Sequence, residues 1–272
     1  MAVAYRSSNS STGSSGSITI TKPTGLTLGD LMVAILSDDF RTSGFNTPSG
    51  WTLIVDQSGP FDLSVTAFGK IADSGDVAAS DFTFTHANSG AIIGGHLYAF
   101  SGNFTGVGNV YVSSAQTATE PSADVFNFAT GITPSLAGSV LLMGAAIGSA
   151  GNNIDDSNIS TYEVETSNPS WTEGHDTLYG SGGNGQRLGS AYATRTETTS
   201  TGYFQITVSI AGGEDAQNSG GVLLAISEFD DVKVNWFMAL AMPFLQFSTA
   251  FIGGIYSLFY AIPRGIMSTR YG

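Results

Sequence analysis

An all-β body followed by one apolar helix is the fold class this sequence predicts, and three observations carry it. Short apolar or alternating runs recur between Gly, Pro and Ser turn signals. Charged residues make up only 11% of the 272, while Gly (35 residues), Ser and Thr are abundant. From Trp236 to Ile262 there is no charged residue at all. The body reads as a jelly-roll-like β-sandwich, in its fuller form a duplicated one (a double jelly roll), with the apolar helix appended.

Along the chain, Ser7–Ser17 is almost entirely Ser, Thr, Asn and Gly, so residues 1–16 read as a flexible N-terminal arm. The first β half is expected over residues 17–118, with runs at Ile18–Thr21, Leu31–Ser37, Trp51–Asp56, Leu63–Lys70, Asp81–Thr85, Ile92–Phe100 and Val110–Ser114. The second half, 119–231, carries Val140–Ile147, Thr161–Glu165, Arg187–Thr194, Tyr203–Ile210 and Val222–Phe229. Phe82-Thr83-Phe84-Thr85 alternates cleanly, as a strand with one wet face must.

The halves resemble one another in order. Leu28-Gly29-Asp30-Leu31-Met32 parallels Leu136-Ala137-Gly138-Ser139-Val140, and Pro48-Ser49-Gly50-Trp51-Thr52 parallels Asn168-Pro169-Ser170-Trp171-Thr172. Ser64–Lys70 parallels Leu188–Thr194, and Gly95–Ser101 closes the first half as Gly221–Phe229 closes the second. The offset of about 110 to 130 residues is far longer than a solenoid period. One sandwich built from two halves and two separate jelly rolls are both compatible with it.

Composition narrows function. Asp and Glu outnumber Lys and Arg by 22 to 9, a net charge of −13, with no basic stripe, so nucleic acid is excluded as a partner. With no cysteine there is no disulfide framework and no thiolate metal site. Met1-Ala2-Val3-Ala4-Tyr5-Arg6 lacks the basic-then-apolar layout of a secretory signal, which disfavours that export route.

Residues 232–272 are expected to form an apolar helical anchor. Pro243 suits a first helical turn, and twenty residues to Ile262 would span about 30 Å, a hydrocarbon core. Trp236 lies near one end and Tyr256 and Tyr260 near the other, with Arg264 and Arg270 beyond. Thr249, Gly253, Ser257 and Ala261 fall four apart, a small-residue stripe of the kind that lets helices approach closely. Insertion into a viral or host membrane through residues 236–262 is the preferred reading, and burial inside a homo-oligomer the alternative.

The residues that could carry catalytic or metal chemistry are scattered along the chain. His86, His96 and His175 are far apart in sequence and fit no metal-ligand spacing, so each reads as a surface or satisfied strand histidine. Glu163, Glu165, Glu173, Glu197 and Glu228 include no pair singled out for glycoside hydrolysis. Asp38-Asp39 and Asp155-Asp156 could hold Ca²⁺ but read rather as solvated turn residues. Trp51 and Trp171 could stack on a sugar, or plug the core at a strand start. Gly180–Gly185 is a hairpin tip with no Lys-Ser/Thr of a phosphate loop. No cofactor is expected.

Gly29-Asp30-Leu31-Met32-Val33-Ala34, Pro48-Ser49-Gly50-Trp51-Thr52, Phe68-Gly69-Lys70-Ile71-Ala72, Phe82-Thr83-Phe84-Thr85 and Ala99-Phe100-Ser101-Gly102 form an ordered set. In that order they resemble a loose group of bacteriophage and prophage virion proteins with jelly-roll-like domains. The resemblance covers residues 17–230 and is strongest in the first half; the apolar C-terminus departs from it. It implies a non-enzymatic structural role on a virion, as a capsid or tail and fibre surface component, with homo-oligomers and other virion proteins as partners. An apolar anchor would suit a virus with an internal membrane. The alternative is a glycan-binding adhesin or receptor-binding module that uses Trp51 or Trp171 on host-surface glycan.

Overall fold

The computed structural model describes residues 2–38, 44–58, 63–116, 125–128, 132–134, 136–148, 159–164, 171–180, 186–198, 204–208 and 218–228. The first eight strands are β1 (Ala4–Gly13), β2 (Ser17–Thr21), β3 (Leu31–Asp38), β4 (Phe45–Asn46), β5 (Thr52–Ser58), β6 (Ser64–Ile71), β7 (Asp81–His86) and β8 (Ile93–Ser101). A short helix, α1 (Ser74–Ala78), separates β6 from β7, and a 3-10 turn (Val107–Asn109) precedes β9. The next eight are β9 (Val110–Gln116), β10 (Val125–Phe128), β11 (Ser139–Gly148), β12 (Ile159–Val164), β13 (Thr172–Tyr179), β14 (Gln186–Arg195), β15 (Phe204–Val208) and β16 (Asn218–Ile226). The described body is all-β and antiparallel, as the sequence predicts.

The two sets of eight strands wind identically. In the first, a five-stranded sheet runs β1-β8-β3-β6-β5 and a three-stranded one β2-β7-β4. In the second, the orders are β9-β16-β11-β14-β13 and β10-β15-β12. Strands one and eight, two and seven, three and six therefore pair in each half, like a long hairpin rolled up on itself. One irregularity repeats as well: the β5–β6 ladder shifts between Leu53 and Val55, and the β13–β14 ladder between Glu173 and His175. The extra residues, Ile54 and Gly174, are β-bulges at equivalent positions.

The register of this likeness differs by one residue from the sequence parallel. Gly29 (φ +86) and Gly138 (φ +81) are the equivalent left-handed turn residues. Their N–H groups donate to Ala72 O and Arg195 O, each at 2.9 Å. Leu31 thus corresponds to Val140, not Ser139, because Leu31 and Val140 pair with Phe100 and Ile226 at the ends of the eighth strands. A one-residue slip exchanges the two faces of a strand. It went unnoticed because β3 and β11 are apolar on both faces.

That double-sided apolarity has a structural cause. Leu31, Val33 and Ile35 of β3 share a core with Val140, Leu142 and Ala146 of β11 and with Val222, Leu224 and Ile226 of β16. The two five-stranded sheets pack face to face. On the other side of β3, Met32, Ala34 and Leu36 pack with Ile18, Ile20, Phe82 and Phe84 of the first three-stranded sheet. All eight residues of β3 are buried, whereas β7 alternates buried and exposed because only one of its faces meets protein.

In the face-to-face layer, β1 lies against β13, β8 against β14, β6 against β16 and β5 against β9. That is the arrangement of an isologous pair, in which a surface meets its own equivalent about a twofold axis. Ile35 and Gly144 are equivalent residues, and they meet each other: a Cβ on Gly144 would sit 2.6 Å from Ile35 Cγ2. A large side chain and an absent one share the axial space.

Two boundaries are corrected. The supposed arm is β1, a ten-residue edge strand paired along β8. Its polar side chains hold the neighbouring turn: Asn9 Nδ2 donates to Thr21 O at 3.1 Å and Lys22 O at 2.8 Å, and Ser7 Oγ to Thr24 O at 2.6 Å. The first half does not extend to residue 118, because β9 pairs with β16 and opens the second half. The apolar segment 232–272, with Trp236, Pro243, Thr249, Gly253, Ser257 and Ala261, lies outside the described residues.

Candidate functional site

Where β1 and β8 meet β13 and β14, the face-to-face core turns polar. His96, the fourth residue of β8, is fully buried among apolar neighbours, so both ring nitrogens require partners. Nδ1 is 2.6 Å from Ser190 Oγ of β14, and Nε2 is 2.9 Å from Thr177 Oγ1 of β13. Ser190 Oγ also lies 2.6 Å from Tyr98 OH, which extends the chain to a second β8 residue. A neutral imidazole donates through one nitrogen and accepts through the other, and hydroxyls can serve either role.

His175 stands beside this chain, its ring centroid 5.2 Å from that of His96. Its Nε2 is 2.8 Å from Ser8 Oγ of β1, and Ser8 in turn is 2.9 Å from Tyr5 OH. Tyr5 stacks on Tyr192 of β14 at 4.1 Å. Gly174, the bulge residue, makes room for this packing, since a Cβ there would meet Tyr98 OH at 1.8 Å. The cluster therefore bonds one half to the other through side chains of four strands.

Electrostatics follow from burial. His96 is held well below the usual histidine range, first by burial and then by the neighbouring His175. Burial lowers His175 too, with its contact to Ser8 opposing. The Asp176–Arg187 ion pair belongs to the other side: along β13, His175 and Thr177 reach His96, so Asp176 between them points away. Uncharged hydroxyls and rings thus face both histidines, His96 fully buried and His175 half-buried.

A second polar cluster sits at the far end of β3. Asp38 and His86 have fully buried side chains, with His86 Nε2 3.6 Å from Asp38 Oδ1. Nδ1 of His86 accepts the Asn88 N–H at 3.0 Å. Ser64 Oγ donates to Asp38, not to His86. Nucleophilic catalysis needs the serine on the histidine, in reach of substrate; here a sealed carboxylate lies between them. Asp38 is thus a buried strand-end acceptor and not the solvated turn residue expected, because β3 runs on to include it. Asp39, Asp155 and Asp156 lie outside the described residues.

Trp51 is half-buried, edge-on to Phe82 at 5.9 Å and Phe84 at 5.1 Å, against the outer core of the first half. Trp171 is half-buried just before β13. The structure does not bring the two tryptophans together in any described contact. Among the described residues no group of three His, Asp or Glu could hold a metal ion, and no helix is long and apolar enough to cross a membrane.

Sequence reasoning named His96 and His175 separately and missed Tyr5, Ser8, Tyr98, Thr177 and Ser190. One signal was present: a histidine inside Ile93–Ser101, a run otherwise fit for burial on both faces, has to find partners from elsewhere. The whole of β13 was also missed, since Thr172–Tyr179 mixes Glu, Gly, His and Asp as an edge strand can. Comparison with protein-family models, with curated proteins and with solved structures gives no match.

Proposed function

We propose that this chain is a non-enzymatic structural protein of a phage virion, a capsid or tail and fibre surface component. Its body is a double jelly roll, and it assembles into a homo-oligomer anchored by the apolar segment after residue 231. The observation that supports this reading best is the nested pairing of strands one with eight, two with seven and three with six, repeated in both halves. Such winding resembles the jelly-roll plan, a scaffold common in viral shells and in lectin-like modules. The fifth strands, β5 and β13, depart from it by joining the larger sheet.

The buried polar groups support a scaffold as well. In both clusters they bond strand to strand inside the body. The ordered motif set resembling phage virion proteins points the same way, and the acidic, charge-poor surface favours protein neighbours over nucleic acid.

The test has two parts. Particles purified from a producing host should contain the chain at constant stoichiometry; abundance in the lysate without any in the particles would sink the proposal. Separately, the full chain and a form ending at residue 235 are compared by mass in buffer with and without detergent. A detergent-requiring or defined oligomeric full chain and a simpler truncated one are expected. Two identical monomers would remove the anchor.

A further inference from the structure

We propose that the His96–His175 seam is an acid-labile latch: protonation of these two histidines releases β1 and β8 from β13 and β14, opening one edge of the contact between the halves. This stands independently of the virion reading.

The geometry leaves a protonated seam without a counter-charge. In the neutral state one direction of bonding satisfies every member: Tyr98 OH donates to Ser190, Ser190 to His96 Nδ1, and His96 Nε2–H to Thr177. A second proton on His96 turns Nδ1 into a donor, so Ser190 Oγ must accept from it and its own proton must turn elsewhere. The charge would then rest in a fully buried site, 5.2 Å ring to ring from His175. A charge there needs a paired opposite charge or water.

No opposite charge faces it among the described residues. From β1 the facing groups are Tyr5 and Ser8, while Arg6 is committed to Asp30 at 2.7 Å. From β13 they are His175 and Thr177, with Asp176 turned away and Glu173 exposed. From β14 they are Ser190 and Tyr192, with Arg187 bonded to Asp176. On β3, Ser37 faces the seam side and bonds Tyr179, whereas Asp38 lies with His86 toward the other sheet. Opening the edge brings water to both rings and removes the penalty.

The sign follows from both rings being easier to protonate when open than when closed. Above the ordinary histidine pKa of about 6.5 the latch is fully closed. As pH falls below that, the open form binds more protons, and its population rises by up to about tenfold per pH unit for each histidine. The carboxylates are the same in every variant below, so their effects cancel in the comparison. His86 is common to every variant below and cancels.

Hydrogen exchange of the full chain, corrected for intrinsic rates, is followed from pH 7.5 to 5.0 in the wild type, His96→Gln, His175→Gln and the double variant. Amides of β1, β8 and β13 in the wild type should lose protection below about pH 6.5, while those of β2 and β7 should not. The double variant should flatten that dependence. A pH-independent seam, or a double variant with the wild-type profile, overturns the latch. Should the variants fail to fold, imidazole resonances of the wild type decide: His96 remaining neutral well below pH 6.5 until the seam opens is expected, and its titration in the closed protein at the ordinary value overturns the proposal.

Discussion

The first and second halves share strand order, a bulge and a left-handed glycine turn, yet equivalent positions carry different side chains. Ile35 stands where the second half has Gly144, Phe68 where it has Ala191, and His96 where it has Val222. The backbone plan is what duplication kept. Ile35 and Gly144 meet between the halves, where two unlike residues share a volume that identical ones would crowd, whereas Phe68 fills the outer core of the first half. The difference teaches that this fold is specified by pairing order, and that the fit between its halves is specified by asymmetric substitution.

The comparison can be broken most forcefully at Phe68. It is fully buried and stacked on Phe84 at 6.2 Å, whereas Ala191 fills the same position in the second half. Phe68→Ala should lower unfolding free energy by about 3–5 kcal/mol, and Ala191→Gly by only about 1 kcal/mol. Equal losses in denaturant titrations would mean that the halves are not packed differently.

Next in size is the axial contact. Gly144→Ala places a Cβ 2.6 Å from Ile35 Cγ2 and should destabilise by about 1–3 kcal/mol through overpacking. Combined with Ile35→Ala the two losses should fall short of additive by about 0.5–3 kcal/mol, since the second change removes the obstacle. Strict additivity in the double-mutant cycle would remove the axial pairing from the account.

A smaller effect sharpens the contrast in acid. Asp73 caps α1, accepting the Asp76 N–H at 3.0 Å, while Asp76 accepts the Asp73 N–H at 2.9 Å and the Lys70 ammonium at 2.7 Å. The Asp76 amide first, and Lys70 second, hold the Asp73 carboxyl below its usual value. Its folded pKa being depressed, the stabilisation is present above the unfolded value near 4 and is lost as pH falls through and below it. Asp73→Ala should therefore destabilise at pH 7 and converge with wild type toward pH 3, read from thermal midpoints across pH. The histidine seam weakens in a higher window, so the two acid responses should separate.

The smallest effect belongs to the exposed face of the first three-stranded sheet. Thr19 and Thr83 face each other across β2 and β7, their hydroxyls 2.9 Å apart. Thr83→Ala should cost roughly 0.2–1 kcal/mol, a shift that global unfolding resolves only with replicate curves. A loss matching that of Phe68→Ala would show that this face is covered by something other than water.

The sequence by itself determined the all-β class, most of the strands, the turns and the likeness of the two halves. Alternation in Asp81–His86 marks a strand with one wet face, Gly29 and Gly138 mark turns, and Trp51 and Trp171 mark matched strand starts; all are local signals. Even the double burial of β3 was written in its unbroken apolar run. What the run could not state is which face meets which neighbour, so the register of the repeat slipped by one.

Only the tertiary structure decided that Ser-rich Ala4–Gly13 is an edge strand, since its partner β8 lies about 90 residues on and its side chains bond a turn it does not adjoin. It alone decided that His96 meets His175, Thr177 and Ser190, and that Ile35 lies on Gly144. These contacts join residues some 80 to 110 positions apart. Composition and periodicity act over a few residues, whereas face-to-face sheet packing is settled by the sum of many apolar contacts that no short window contains.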